Sequence, residues 1–219
     1  AVNIALTAGI PADLTDGKNW GVTPLLLACC RSNYAMAKLL AEYGADLAHC
    51  DAKGRNGFHY LAHPFAEGLK ISEEPIHSLD QRKKIALLLA GCAEDGNLWK
   101  AKTPADKTPL PLAAINQKDA QGIPPLVYLV DGGLRMISAA LIDTYLALGA
   151  DPYFVDDAER TLLYRAILRG RNTAALRLME YPELMEKEAK AEKTLLMIAE
   201  EHHAEGLCVA LKDHGAKGE

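Results

Sequence analysis

The chain has 219 residues, 49% of them hydrophobic and 24% charged, with a formal net charge of −5 and a pI near 5.8. That much apolar side chain can build a continuous core without disulfides or a metal. No stretch approaches the roughly 20 uninterrupted apolar residues of a membrane span, and the acidic balance argues against a phosphate-neutralising surface for nucleic acid.

Arg165, Arg169, Arg171 and Arg177 cluster, but Glu180, Glu183, Glu186 and Glu188 follow them, which reads as a solvated mixed-charge face. Cys29, Cys30, Cys50, Cys92 and Cys208 form an odd set without CxxC spacing, so neither a disulfide framework nor a zinc ribbon is expected. Free thiols favour a reducing compartment and therefore a cytoplasmic location. The sequence opens Ala1-Val2-Asn3 without a leader pattern; removal of a signal peptide would instead place the protein in the periplasm or outside the cell.

In chain order, residues 1–10 read as the second helix of a pair whose first helix is missing, because Pro11-Ala12-Asp13-Leu14 lies one repeat length before Gly44-Ala45-Asp46-Leu47. That length, about 33 residues, is among the periods by which stacked helical hairpins are recognised. Thr23-Pro24 marks a helix start, since a Thr hydroxyl can accept from free backbone N–H groups and Pro lacks one. Leu39-Leu40 then belong to a second helix, which Gly44 ends in a left-handed turn. Gly54 and Asn56 follow Gly21 and Thr23 at the same interval, and open Asn56-Gly57-Phe58-His59-Tyr60-Leu61. Asp119, Gly122, Pro124, Pro125 and Leu126 open a later copy that closes at Leu148-Gly149-Ala150-Asp151. Asp156 and Thr161-Leu162-Leu163-Tyr164-Arg165-Ala166 begin the next, and Thr194-Leu195-Leu196-Met197-Ile198-Ala199 follows one period after Thr161.

These phased motifs resemble the T-P-L-H-x-A … L-L-x-x-G-A-D pattern of the ankyrin repeat family over most of the chain. The resemblance implies an all-α solenoid of about five helix-turn-helix units plus an N-terminal partial unit, forming a single domain over 1–219. Its units run approximately 1–14 (partial), 19–51, 52–118 with insertions, 119–156, 157–189 and 190–219. A lone helix pair cannot bury its apolar stripe, whereas stacked neighbours share a core. Leu39, Leu40, Leu87, Leu88, Leu141, Leu146, Leu176, Leu178, Leu207 and Leu211 are the expected core.

Two insertions break the pattern. Residues 64–78 lengthen the turn between the helices of the second full unit, with the helix resuming near Asp80. A longer insertion follows Gly91, since the stretch from Gly91 to Pro124 replaces the short step that leads from Gly44 to Asn56. This second insertion is either an elongated finger loop holding Trp99 or a truncated repeat starting at Thr103-Pro104 or Thr108-Pro109. Pro182 stands where Gly is usual, which points to a hinge before the last repeat.

The resemblance also implies that partners bind at finger tips and in the groove of the first helices. The tips carry Trp20, His49, Trp99, Tyr153 and Phe154, of the aromatic types enriched in interface hot spots. Leu26, Arg31, His59, Tyr128, Tyr164, Arg165 and Arg169 would line the groove, although His59 reads better as a hydrogen-bonded structural residue. Each aromatic also has a packing role open to it.

His202-His203 with Glu201 and Glu205 reads as a polar turn rather than a metal site, because adjacent side chains on a helix diverge by about 100° and zinc needs three or four converging ligands. Cys50 beside His49, or Cys29 near His59, lacks an orienting acid and an oxyanion hole. No P-loop or GxGxxG is present. The expectation is a protein-binding module without cofactor, metal or catalysis, whose partner is another protein and not nucleic acid or membrane. Alternatives are a bacterial-type inhibitor or immunity protein that neutralises an effector or toxin enzyme, and a metal-dependent enzyme or regulator using His202 and His203.

Overall fold

A computed structural model describes residues 2–15, 20–63, 79–92, 112–132, 138–181, 183–184 and 194–213. Trp99, both candidate helix starts at Thr103 and Thr108, the 64–78 insertion and Pro182 lie outside the described residues. Regular structure among the described residues is helical, with no extended strand; Val155 and Thr161 form an isolated antiparallel bridge.

In chain order the helices are α1 (Val2–Thr7), α2 (Pro24–Cys30), α3 (Tyr34–Glu42), α4 (Gly57–Ala62), α5 (Leu79–Leu89), a 3-10 turn (Leu112–Asn116), α6 (Pro125–Gly132), α7 (Ser138–Ala147), α8 (Leu162–Leu168), α9 (Asn172–Leu178), α10 (Leu195–Glu201) and α11 (Glu205–Asp213). Local chemistry sets the starts of three of them. The hydroxyls of Thr23, Thr161 and Thr194 accept the backbone N–H three residues on, at 3.3, 3.1 and 3.2 Å. Each satisfies a donor that the first helical turn leaves orphaned, and losing such a cap costs ~1 kcal/mol.

The turn out of each of these helices is also alike. Ser32, Gly170 and His203, each nine residues after its capping Thr, have φ of 53, 63 and 52°. The next residue returns a backbone N–H to an alanine carbonyl: Asn33 to Ala28, Arg171 to Ala166 and Ala204 to Ala199. Asn33 then caps α3 by accepting from the Met36 N–H at 3.0 Å.

The described residues fall into two compact units. The first comprises residues 1–125 and 147–149. Within it α2 packs on both α3 and α4, and α5 packs on both α3 and α4, so first helices lie on first helices and second on second. Leu25, Leu40, Leu61, Ile85 and Leu89 are buried in that packing, each contributing roughly 1.5–3 kcal/mol of hydrophobic stabilisation. A Cβ built on Gly57 would stand only 2.9 Å from a Leu89 methyl, so a larger residue there would require the Leu89 side chain to shift. In the second unit, residues 126–146 and 150–219, the same scheme joins α8 to α9 and α10, and α11 to α9 and α10.

Two sequence expectations are corrected. Leu176 is 44% exposed, while Ala174, Ala175 and Leu178 on the same helix are buried. Residues two apart on a helix point about 200° apart, so Leu176 and Leu178 cannot share the inner face. Leu26 is 1% exposed and lines no groove, because α2 is covered by α3 and α4 together. Leu39, Leu87 and Leu146 are half-buried, whereas Leu40, Leu88, Leu141, Leu178, Leu207 and Leu211 lie in the core.

Most of the extra residues after Gly91 lie outside the described residues. Cys92 N–H bonds back to the Leu87 carbonyl, closing α5 normally. The chain is again in place by Ala114 and Ile115, which are buried, and the turn at Asp119 that follows has the ordinary length.

Candidate functional site

The finger turns before α4, α6 and α8 share one construction. In each an aspartate opens the turn and its carboxylate accepts backbone N–H groups two and four residues on. Asp51 takes Lys53 and Arg55, Asp119 takes Gln121 and Ile123, and Asp156 takes Ala158 and Arg160, all at 2.9–3.0 Å. The aspartate N–H in turn donates to the carbonyl of the residue four further on. The residue three after the aspartate must then be left-handed: Gly54 and Gly122 at φ 74 and 76°, and Glu159 at 58°. Glycine takes that conformation freely, while for an L-residue it costs about 1–2 kcal/mol.

Asp51 carries further load. Arg55 Nε and Tyr60 OH donate to its other oxygen at 2.7 and 2.8 Å, and all three side chains are buried. Burial, and then the adjacent Asp51 carboxylate, push the Tyr60 phenol far above its ordinary pKa, so it stays a neutral donor. Around Asp156, Arg160 Nε and Arg165 donate at 2.8 and 2.6 Å. Burial alone would raise the Asp156 carboxyl, but the Arg160 backbone N–H, followed by the two guanidinium groups, outweighs it and holds the group below the usual range. Arg165 also grips Asp131 through two nitrogens.

The first finger differs from these three, because Lys18 stands five residues before Thr23 where they have Asp. Its turn runs through Trp20 and Gly21, both left-handed at φ 59 and 76°. Adjacent fingers in this unit are tied by backbone bonds: Ala52 N–H to the Trp20 carbonyl at 2.7 Å, and Ala120 N–H to the Lys53 carbonyl at 2.8 Å. Trp20 is 59% exposed, and the Lys53 ammonium lies 5.4 Å from its ring centre.

The remaining sequence-nominated residues have internal contacts. His49 Nε2 bonds to the Gly21 carbonyl at 2.7 Å. Tyr153 meets Tyr181 edge-on at 6.1 Å, and Phe154 is half-buried. Tyr164 and Tyr128 are half-buried, and Arg31 and Arg169 are exposed at the C-terminal ends of α2 and α8, where a cation suits the helix dipole. His59 is fully buried: Nδ1 accepts from the Asn56 N–H at 3.2 Å and Nε2 donates to the Ile123 carbonyl at 3.1 Å, tying α4 to the next finger. This is the structural role expected for it. Burial lowers its pKa, which keeps the imidazole neutral.

The sulfur and imidazole pairs are placed as follows. Cys29 is fully buried, and burial pushes its thiol far above its ordinary pKa; Cys50 is raised for the same first reason. Raised thiols are poor nucleophiles at neutral pH. Cys50 Sγ donates to the Ala48 carbonyl at 3.4 Å and accepts from Gln117 Nε2 at 3.1 Å. His202 and His203 are exposed in the turn after α10, with His203 serving as its left-handed residue. Among the described residues, no group of three or more His, Cys, Asp or Glu side chains is gathered for a metal ion, and no helix is long and apolar enough to cross a membrane.

Sequence reasoning overlooked Lys53 and the anchoring role of the aspartates; the signal was the Asp five residues before Asn56, Pro124 and Thr161. The family model for the ankyrin repeat matches residues 20–52, the segment running from Trp20 through α2 and α3 to the second finger. No match was found among curated proteins.

Proposed function

We propose that this chain, which carries an ankyrin repeat at residues 20–52, is a protein-recognition module working by preformed shape rather than by chemistry. Ankyrin repeats bind proteins as a class, and the observation that carries the reading here is the run of clamped finger turns. Three are fixed by aspartate-to-backbone bonds, and the tips of the first unit are cross-tied at Trp20–Ala52 and Lys53–Ala120. A rigid loop loses little entropy on binding, so more of its contact energy appears as affinity.

In this reading the repeats continue in register through 119–156, 157–189 and 190–219. The partner-facing residues are Trp20, His49, Trp99, Tyr153, Phe154, Tyr164, Arg165 and Arg169. Trp20 leads that set because it combines exposure with a rigid backbone; Tyr153 is the corresponding aromatic of the second unit.

The test is affinity capture from the native source with the wild-type chain and with the Trp20→Ala/Tyr153→Ala double variant. A partner protein retained by the wild type and lost by the variant, at nearly unchanged thermal unfolding, is the expected result. Equal capture by both would refute the assignment of these tips, and equal loss of stability and capture would make the aromatics structural.

A further inference from the structure

We propose that the outer face of α9 and α11 is a second docking surface, which takes a helical segment of another protein carrying apolar side chains flanked by lysine or arginine. The inference goes beyond the finger-tip reading above and uses none of its residues. It starts from two apolar side chains that the repeats leave outside.

Leu176 on α9 and Val209 on α11 each stand fifteen residues after a capping threonine, Thr161 and Thr194. The two helices pack on each other, at the roughly 8–10 Å axis spacing usual for such pairs, so equivalent positions lie side by side. Both side chains point away from the core. Leu176 is 44% and Val209 60% exposed, while Leu178 and Leu211, two residues further on and about 200° round each helix, are buried. The repeat does not call for an apolar residue at this register, because Lys38 holds the same place fifteen residues after Thr23. A lone exposed apolar side chain needs no explanation, but neighbouring ones on packed helices mark a surface that another molecule covers.

Gly206 adds a dent to this face. It lies three residues before Val209 on α11 and is therefore its neighbour on the helix surface. A Cβ built on Gly206 would meet nothing within 4 Å, so packing does not ask for glycine there, and a helical glycine gives up stability relative to alanine. The opening leaves room for a side chain from outside. Charge decides what kind of segment brings it. Glu205 stands four residues before Val209, and Glu180 and Asp213 stand four after Leu176 and Val209, so all three acids share the face. The cations beside them are already engaged within the chain: Arg177 with Asp143 at 3.1 Å and Glu180 at 3.3 Å, and Lys212 with Glu200 at 3.6 Å. An acidic rim favours a basic partner and opposes a second copy of the same face, which would set acid against acid.

The test follows the Leu176 and Val209 methyl signals in NMR spectra of the full chain, each identified by its loss in Leu176→Gln and Val209→Gln. The chain is titrated with the peptide acetyl-(Ala-Leu-Lys-Lys)3-amide and with acetyl-(Ala-Leu-Glu-Glu)3-amide. Saturable movement of both signals by the lysine peptide, with a Kd on the order of millimolar for so small a contact, is expected. Raising the salt from about 0.05 to 0.5 M should weaken it several-fold, because the rim charges are screened. Gly206→Gln fills the dent: it should melt roughly 1–2 °C above the wild type, since glutamine suits a helix better than glycine, and bind the lysine peptide about tenfold more weakly.

Unmoved methyl signals up to about 10 mM lysine peptide, an equal response to the glutamate peptide, indifference to salt, or wild-type binding by Gly206→Gln would each overturn the proposal. So would a Gly206→Gln variant that melts below the wild type, because the glycine would then be a packing requirement. Sedimentation of the wild type as a dimer that Val209→Gln abolishes would assign the face to a second copy and overturn it as well. The Trp20→Ala/Tyr153→Ala double variant should bind the lysine peptide as the wild type does. Loss of peptide binding there would show that the face is not separate from the finger tips and would sink this inference, whereas failure of the finger-tip capture leaves the peptide result untouched.

Discussion

Ser32→Gly should stabilise the protein, and the structure gives the size. Ser32 lies in the turn between α2 and α3 at φ 53°, is 1% exposed, and its hydroxyl has no hydrogen-bond partner among the described residues. Removing the side chain relieves about 1–2 kcal/mol of left-handed strain. It also abolishes a buried unpaired hydroxyl, at about 1–3 kcal/mol. Against this stand about 0.5–1 kcal/mol for the greater unfolded freedom of glycine and about 0.8 kcal/mol for the lost buried methylene. Central values leave a net gain of about 2 kcal/mol, which for a chain of this length raises the melting temperature by about 6 °C. The turn's own bonds, Ser32 N–H to Cys29 and Asn33 N–H to Ala28, are backbone bonds and survive. Circular-dichroism melts and urea titrations at pH 7.5 measure the effect. Ser32→Ala is the control: it removes the hydroxyl but keeps the Cβ and its strain, so it should gain the hydroxyl contribution alone, about 2 kcal/mol. A glycine or an alanine variant melting below wild type would refute the reasoning.

Asp51→Ala should be among the most damaging single changes, because it leaves the Arg55 guanidinium, 6% exposed, without its counter-charge and strips two backbone N–H groups of their acceptor. A loss of about 3–5 kcal/mol is expected in urea unfolding, and a loss under about 1 kcal/mol would show that water already shares that site. Stability should also fall on mild acidification. Burial lowers the pKa of both His59 and His63, so below the unfolded value of about 6.5 the unfolded chain binds more protons than the folded one. Their contribution is intact above about pH 6.5 and is lost as pH drops from there toward the folded values. Melting temperatures between pH 7.5 and 5 should decline, with a shallower slope in His59→Gln, whose amide can still cap Asn56; a flat wild-type profile would contradict this.

What could be read from the sequence was what is decided within a few residues. Thr23, Thr161 and Thr194 announced three helix starts because a hydroxyl and the N–H three residues on are enough to define a cap. The restart of the next helix, expected near Asp80, falls at Leu79. What could not be read depends on neighbours distant in sequence. Leu39 and Leu40 are adjacent and equally apolar, yet only Leu40 is in the core, and α3 has no internal feature that says which way it will be turned. Leu26 looked like a groove residue until α3 and α4 closed over it. Counting along the chain after Gly91 gave how many residues were extra but not where they leave the repeat; the Lys53–Ala120 bond shows only that the turn at Asp119 is stacked on the finger before it.

The two fingers that put a non-glycine residue in the left-handed region carry that strain for different reasons. At Glu159 the turn is dictated from outside the residue: Asp156 binds the N–H groups on both sides, at Ala158 and Arg160, and is itself held by two guanidinium groups. The backbone has no other conformation that keeps those bonds, so the exposed Glu159 side chain is carried along. Glu159→Gly should therefore stabilise by about 0.5–1 kcal/mol, the left-handed cost less the added freedom of glycine; a destabilised variant in urea unfolding would show that the carboxylate side chain itself supports the turn. At Trp20 the position of the clamping aspartate is taken by Lys18. There the Trp20 carbonyl accepts from the Ala52 N–H at 2.7 Å, so the left-handed turn is held to the neighbouring finger.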